Sequence, residues 1–492
     1  MAATNIWDPT ANAFDNGPAL RKQKGNKNRP SKGYRAATRV RERLLAKQRQ
    51  IGGDSPLFDD LPKQPQVCIQ ETAIARFFHD YVLDGSAASC RSRPNAGYLA
   101  HIPGMYLHSK SGSSFALALS AAANANFWRR HNSDQARSQS MQDCGAALLQ
   151  LREDLDHRES PQDIGDLLAA SAMLATYQLI VTRDVSQRTS WTAHVNGAVA
   201  LLGREEQGHQ QLGDLGEVMR PIVLQMLADC LIMGRHPKLP LETCASVMAQ
   251  TTSHETLFAF KYRTAELCAN GIGGCSVDSV DPAQQTRPII NFLERCQALD
   301  EEMSNWMQFR LDLEPVAILP NTKDNVPAAL RAMFSSPGAP TVLHLCADMN
   351  QTHQWHNYRA CRLTILRAMM NAINTATALA TDHTTLSNYE LVREEVHSRA
   401  AGLIDELLST VFSSLAVGLL GKAQAESMTD IEGFRAFQIL WPLHIAGTCL
   451  KLMGQHYPSG CAKLGWIRSL FRCIRDEMGI QAANSFLQVQ GG

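Results

Sequence analysis

No cysteine occurs in the first 67 residues, and the thirteen cysteines that follow, from Cys68 to Cys473, include no CxxC pair and no regular spacing. Paired thiolates are what a zinc ribbon or redox motif requires, and a disulfide framework belongs to small secreted domains, so these cysteines read as isolated small apolar side chains in a reducing compartment. Long apolar runs are lacking too. The best candidate, LLAASAMLATYQLIV at 167–181, is shorter than the ~18 residues of a bilayer span and carries Ser, Thr, Tyr and Gln, which suits a buried helix. The opening MAATNIWDPTANAFDNG has neither the charged nor the apolar region of a secretory signal. An intracellular, soluble protein without membrane contact is expected.

The familiar catalytic constellations are also missing. There is no HExxH, no GxSxG elbow, no Walker loop and no GxGxxG after a strand. Asp59-Asp60 runs into Leu-Pro-Lys, which breaks any resemblance to the DDxxD metal site of terpene cyclases. His353 and His356 stand three apart beside Trp355, but no third ligand accompanies them, and ordinary polar or half-buried histidines are the simpler reading than a metal pair. NGIGGCS at 270–276 follows no strand and reads as a flexible loop rather than a phosphate cradle, while Glu301-Glu302 and Glu394-Glu395 read as solvated helix faces. Neither enzyme activity, nor a metal, nor a cofactor is expected.

What is present is a strong local asymmetry. The 492 residues hold 47 basic and 47 acidic side chains, so the whole chain attracts neither nucleic acid nor membrane. Yet Arg21, Lys22, Lys24, Lys27, Arg29, Lys32, Arg35, Arg39, Arg41, Arg43, Lys47 and Arg49 form a run of twelve cations interrupted by one acid, Glu42. Such a cluster serves as a nuclear-import address, as a sequence-independent phosphate contact through counterion release, or as a solubilising tail, and these roles overlap. Residues 1–66 are rich in Gly, Pro, Asn, Lys and Arg and are expected to be disordered, with a transient helix over Ala36–Gln50.

Beyond Val67 the texture changes. Apolar periodicity of helical type recurs over Glu71–Leu83, Phe115–Trp128, Met141–Leu155, about 162–181, Thr192–Leu202, Val218–Met233, Ile289–Phe309, Tyr358–Ala378, Leu391–Phe412, Phe434–Met453 and Lys463–Met478. Ser160-Pro161-Gln162-Asp163 combines a capping serine, proline at the first helical position and an acid, a clear helix start. Strand-like alternation is scarce, and no fixed-period repeat is visible. Breakers at 233–241, 271–288 and 314–341, the last with five prolines, read as surface loops or hinges. The prediction is an all-α chain: a large helical domain over 67–492, an irregular helical array, behind a basic segment over 1–66.

Several stretches of the helical region resemble the regulatory domain of fungal transcription factors of the Zn2Cys6 binuclear-cluster class, in the branch called fungal transcription factor domain 2. GYLAHIPGMYLHSKSGSSFALALSAAANANF (97–127) is similar to that family's opening segment. TYQLIVTRDVSQRTSWTAHVNGAVALL (176–202) resembles its Trp-x-x-His-x-x-Gly-Ala-x-x-Leu-Leu signature, with Trp191, His194, Gly197, Ala198, Leu201 and Leu202 in register, although Gly203-Arg204 reverses the usual order. NYRACRLTILRAMM (357–370) and FQILWPLHIAGTCL (437–450) look like its Tyr-Arg-x-x-Arg-Leu and Trp-Pro-Leu-x-x-Ala-Gly helices. Physically these are packing motifs. Trp191 and Trp441 are expected as core anchors, Pro442 as a kink, Gly197 and Gly447 as points of close helix approach, and His194 as a structural residue.

The family's zinc cluster, which would place a short helix in the DNA major groove, is absent here. Its usual leading flank resembles RPSKG at 29–33 and its trailing flank resembles GYR at 33–35, and the two are joined at about residue 33 as if the module between them had been removed, by true loss or by an exon missed in translation. The resemblance implies a nuclear regulator or coregulator of transcription, of the kind that controls fungal secondary-metabolite clusters for pigments and polyketides. It would act through a protein partner, another transcription factor or itself, and touch DNA weakly or indirectly through the basic segment. The reading from a different class is an all-α ligand-binding protein or enzyme that reuses this fold.

Overall fold

The computed structural model describes residues 69–82, 99–157, 162–182, 188–205, 212–248, 252–271, 282–380, 383–416 and 431–491. The basic cluster and the RPSKGYR junction lie outside the described residues, as does most of NGIGGCS. The described chain is helical: α1 Ile69–Tyr81, α2 Ile102–His108, α3 Ser114–His131, α4 Asp134–Asp156, α5 Gln162–Val181, α6 Arg188–Glu205, α7 Leu212–Met233, α8 Leu241–Met248, α9 Thr252–Asn270 and α10 Pro282–Gln308. There follow β1 Ala317–Pro320, α11 Arg331–Phe334, β2 Val342–Leu345, α12 Met349–Leu379, α13 His383–Ala416, α14 Gly433–Met453, α15 Gly460–Asp476 and α16 Ala482–Gly491.

Local chemistry sets several boundaries. Ser113 caps α3 by accepting from Ala116 N at 3.2 Å, and α3 ends where Asn132 turns left-handed at φ 53°. Ser133 immediately caps α4 by accepting from Ala136 N at 3.3 Å, so two residues reverse the chain. Of the expected start signal, Ser160 and Pro161 lie outside the described residues, and α5 is described from Gln162. This helix is the one among the described residues long and apolar enough to cross a membrane, and 78% of its Ile164–Val181 window is buried inside the protein. Helices α8 and α9 were not anticipated; in α9, FAFKYRTAELC places Lys261 and Arg263 inside an otherwise apolar pattern.

The proline-rich stretch 314–341 is more than the expected surface loop. β1 pairs antiparallel with β2, Ala317 opposite Leu345 and Pro320 opposite Val342. Between them a 3-10 turn at Ala328–Leu330 leads into α11 and drives Leu330 and Phe334 into the core. The Phe334 ring meets Phe412 at 5.6 Å and Trp466 at 5.7 Å, both edge-on, and Trp466 donates its indole N–H to Met333 O at 3.0 Å. Proline breaks helical periodicity without preventing insertion, since it removes backbone donors but not apolar side chains.

One apolar cluster runs from Ala73 to Phe486, with α12, α13 and α14 packed on one another at its middle. Helices from the two ends of the chain pack together: α14 lies on α1, α16 lies on α5, and Gln481 N donates to Ile180 O at 3.3 Å. A buried carboxylate staples this closure. Asp80 accepts from Arg76 Nε at 2.9 Å and Asn126 Nδ2 at 2.8 Å and forms an ion pair with the Arg130 guanidinium, whose Nε lies 2.9 Å away, while Arg130 Nη2 donates to Ile431 O at 3.0 Å. Burial alone would raise the Asp80 pKa, but the His79 hydrogen bond, the two guanidinium charges and Asn126 together hold it below the ordinary value.

Candidate functional site

The NYRACRL stretch forms the third and fourth turns of α12, and it carries charge and polarity into the interior. Asp348 caps the helix, accepting from Gln351 N at 2.7 Å. The Trp355 indole N–H then donates to Leu313 O, which ties the helix to the segment ahead of β1. From there the polar side chains fan out toward neighbouring helices.

Arg359 is 1% exposed, lies 3.9 Å over the Trp355 ring, donates from Nε to Glu406 Oε2 at 3.1 Å and reaches Thr410 Oγ1 from Nη1. Arg362 grips the buried Asp300 in a fork, Nε to Oδ1 at 2.6 Å and Nη2 to Oδ2 at 2.8 Å, and its Nη1 donates to Tyr358 Oη at 3.0 Å. Arg399 approaches the same carboxylate at 3.6 Å. Burial by itself would lower the Arg362 pKa, but the hydrogen bonds and charge of Asp300 and then Tyr358 reverse that and raise it. These two arginines have their counter-charges.

Lys261 does not. It projects from α9 into the interior, is 5% exposed, and its Nζ has one hydrogen-bond acceptor, Asn357 Oδ1, at 3.2 Å. The ammonium stands 4.9 Å from the centroid of the Trp441 ring on α14. No carboxylate influences it; burial drives its pKa down to about 8, opposed by the Cys361 thiol alone. That thiol is itself pushed up to about 12 by burial, against the pull of Lys261. Trp441 is buried as well, and its Nε1 has no hydrogen-bond partner. One turn earlier, the Gln438 Oε1 is likewise buried and unpaired.

His356 and His353 part company. His356 is fully buried, its Nε2 lies 2.8 Å from Ser414 Oγ, and burial followed by the charge of Arg359 takes its pKa to about 3, so the ring is neutral. This corrects the expectation of a half-buried pair: only His353 is half-buried. Among the described residues no group of three or more His, Cys, Asp or Glu side chains is arranged to hold a metal ion.

The signature residues are distributed as follows. Trp191 is buried in α6, and His194, half-buried on the same helix, has its pKa lowered by burial. Gly197 is exposed, and an added Cβ would meet nothing within 4 Å, so it permits no close helix approach there, contrary to expectation. Trp441, Pro442 and Gly447 are all buried in α14, which remains assigned as one helix through Pro442. The buried Lys261 and Asp300, and the exposed Glu406 that Arg359 reaches, were not singled out from the sequence. The available signal was a lysine between Phe260 and Tyr262 on an apolar face.

Comparison with known proteins finds no matching family model, no matching curated protein and no matching solved structure.

Proposed function

We propose that this chain is a regulator or coregulator of transcription that acts in the nucleus, without a zinc finger of its own, through association of its helical domain with another regulator or with itself. The observation that carries the reading is the junction RPSKGYR at 29–35, where two flanks resembling those of a zinc cluster meet ahead of a large all-helical domain. Association is supported by the outer face of α4. Met141, Leu148, Leu149 and Leu155 are 59%, 44%, 69% and 42% exposed there, a stripe of large apolar side chains on one helix while its other face packs on α3.

In this reading the twelve cations between Arg21 and Arg49 provide import and non-specific phosphate contact, and base-specific recognition belongs to the partner. By the resemblance, its target genes would belong to a secondary-metabolite cluster. A gel-shift titration of the purified chain tests the idea. Weak binding with steep salt dependence and little sequence preference is expected; tight, sequence-selective binding by the chain alone refutes the coregulator role.

A second reading, an all-α ligand-binding protein, is favoured by one observation: a buried ammonium with one acceptor stands over the face of a buried indole whose N–H has none.

A further inference from the structure

The outer face of α4 is apolar along its length and acidic at its end. Met141, Leu148 and Leu155 recur every seven residues, two helical turns apart, and Leu149 beside them is 69% exposed. Glu153 and Asp156 are exposed in the last turn and Asp154 is half-exposed there, accepting from Gln150 Nε2 at 2.9 Å. No basic side chain stands in that turn to balance these acids or the negative end of the helix dipole; Arg152 lies just ahead of it. Such a surface fits a segment that is apolar on one side and basic on the other. The chain carries one. In ATRVRERLLAKQRQI (37–51), Val40, Leu44 and Ile51 are spaced to share one face of a helix, and Arg39, Arg41, Arg43, Lys47 and Arg49 stand against a single acid, Glu42.

We infer that residues 37–51 dock on the outer face of α4 of the same chain, apolar side chains on Met141, Leu148 and Leu149 and cations toward Glu153 and Asp156, and that a partner gains this face by displacing them. Charge complementarity selects a basic occupant, and the tether selects this one. Residues 52–68, which span up to about 55 Å when extended, join the segment to α1, and α1 packs on α3 and touches α4. While docked, the cations are held back from phosphate, so the contact couples partner binding to the availability of the basic segment. This self-contact presupposes the association surface of the regulatory reading, and its failure leaves that reading intact, since one is read from contacts within the chain and the other from sequence selectivity on DNA.

The full chain with the exposed Leu149 replaced by the photo-cross-linker p-benzoylphenylalanine tests the contact. An equal mixture of 15N-labelled and unlabelled chains is irradiated, and the joined peptides are identified by mass spectrometry. Position 149 should join to peptides from 37–51, both members of a pair carrying the same label, and the yield should fall about three-fold in about 0.5 M NaCl, where charges are screened beyond about 4 Å. Absence of such pairs overturns the docking. Mixed-label pairs overturn the assignment to the same chain, because a second copy then covers α4. An unchanged yield in Glu153→Gln combined with Asp156→Gln overturns the part given to the acids. Leu148→Ser combined with Leu149→Ser, at exposed positions and checked by far-UV circular dichroism, should free the cations and tighten binding to random-sequence DNA about three-fold at low salt. Unchanged affinity refutes the coupling.

Discussion

An uncompensated buried lysine leaves a mark on stability against pH. In the folded chain Lys261 has its pKa lowered from 10.5 to about 8, because burial disfavours the charged form. Above about pH 10.5 the amine is neutral in both folded and unfolded chains and carries no penalty. Between 10.5 and 8 the unfolded chain binds the proton and the folded chain does not, so stability falls as pH falls. Below 8 both are protonated and the full cost remains, about 3 kcal/mol for a fall of this size.

Substituting Lys261→Met removes the titrating group while keeping the stem. The neighbouring Cys361 thiol, held at about 12, stays protonated in the folded chain across the range. Urea unfolding followed by circular dichroism, compared at pH 7 and pH 10, isolates the term, because the remaining groups titrate alike in both proteins. Wild type should gain about 2 to 3 kcal/mol on the variant between those pH values. A difference between the two proteins that is constant with pH would refute the argument, and with it the description of Lys261 as buried and unpaired.

Further outcomes follow from the same geometry. Arg362→Met strands the buried Asp300 with only Arg399 nearby and should cost about 3 kcal/mol, read as a lowered denaturant midpoint, whereas Arg362→Met combined with Asp300→Leu should recover much of it. Phe334→Ala should cost about 3 to 5 kcal/mol in the same assay by emptying the contact between Phe412 and Trp466, an effect that a surface loop would not show. Two glycines should respond in opposite directions to alanine. Gly197→Ala, exposed in a helix, should raise stability by about 0.5 to 1 kcal/mol, while Gly338→Ala should lower the thermal midpoint sharply, since φ is +85° and the new Cβ would lie 2.0 Å from Ala462 O.

The long helices were legible because their signals are local. α14 was expected from Phe434 to Met453 and runs Gly433–Met453, while α12 begins nine residues earlier than the expected Tyr358, where Asp348 provides the cap. The misses have local causes as well. In α9 the interior position of Lys261 dilutes the apolar pattern, and in 314–341 five prolines read as solvent-exposed although Leu330 and Phe334 lie within the core. Gly197 shows the reverse error: a glycine in a signature suggested tight packing, and its surroundings are open.

By itself the sequence determined that this is a helical chain, where most of its helices lie, and that its positive charge is concentrated between Arg21 and Arg49, because period, capping and charge density are all written in neighbouring residues. Which interior cations are compensated was decided by the tertiary structure alone. In the sequence Lys261, Arg359 and Arg362 look like any basic residues on a helix. Arg362 finds Asp300 across 62 positions and Arg359 finds Glu406 across 47, whereas Lys261 reaches across 96 to meet only the amide oxygen of Asn357. Burial and counter-charge are properties of helices brought together by packing, and only the folded chain sets a lysine beside an indole with no carboxylate for either donor.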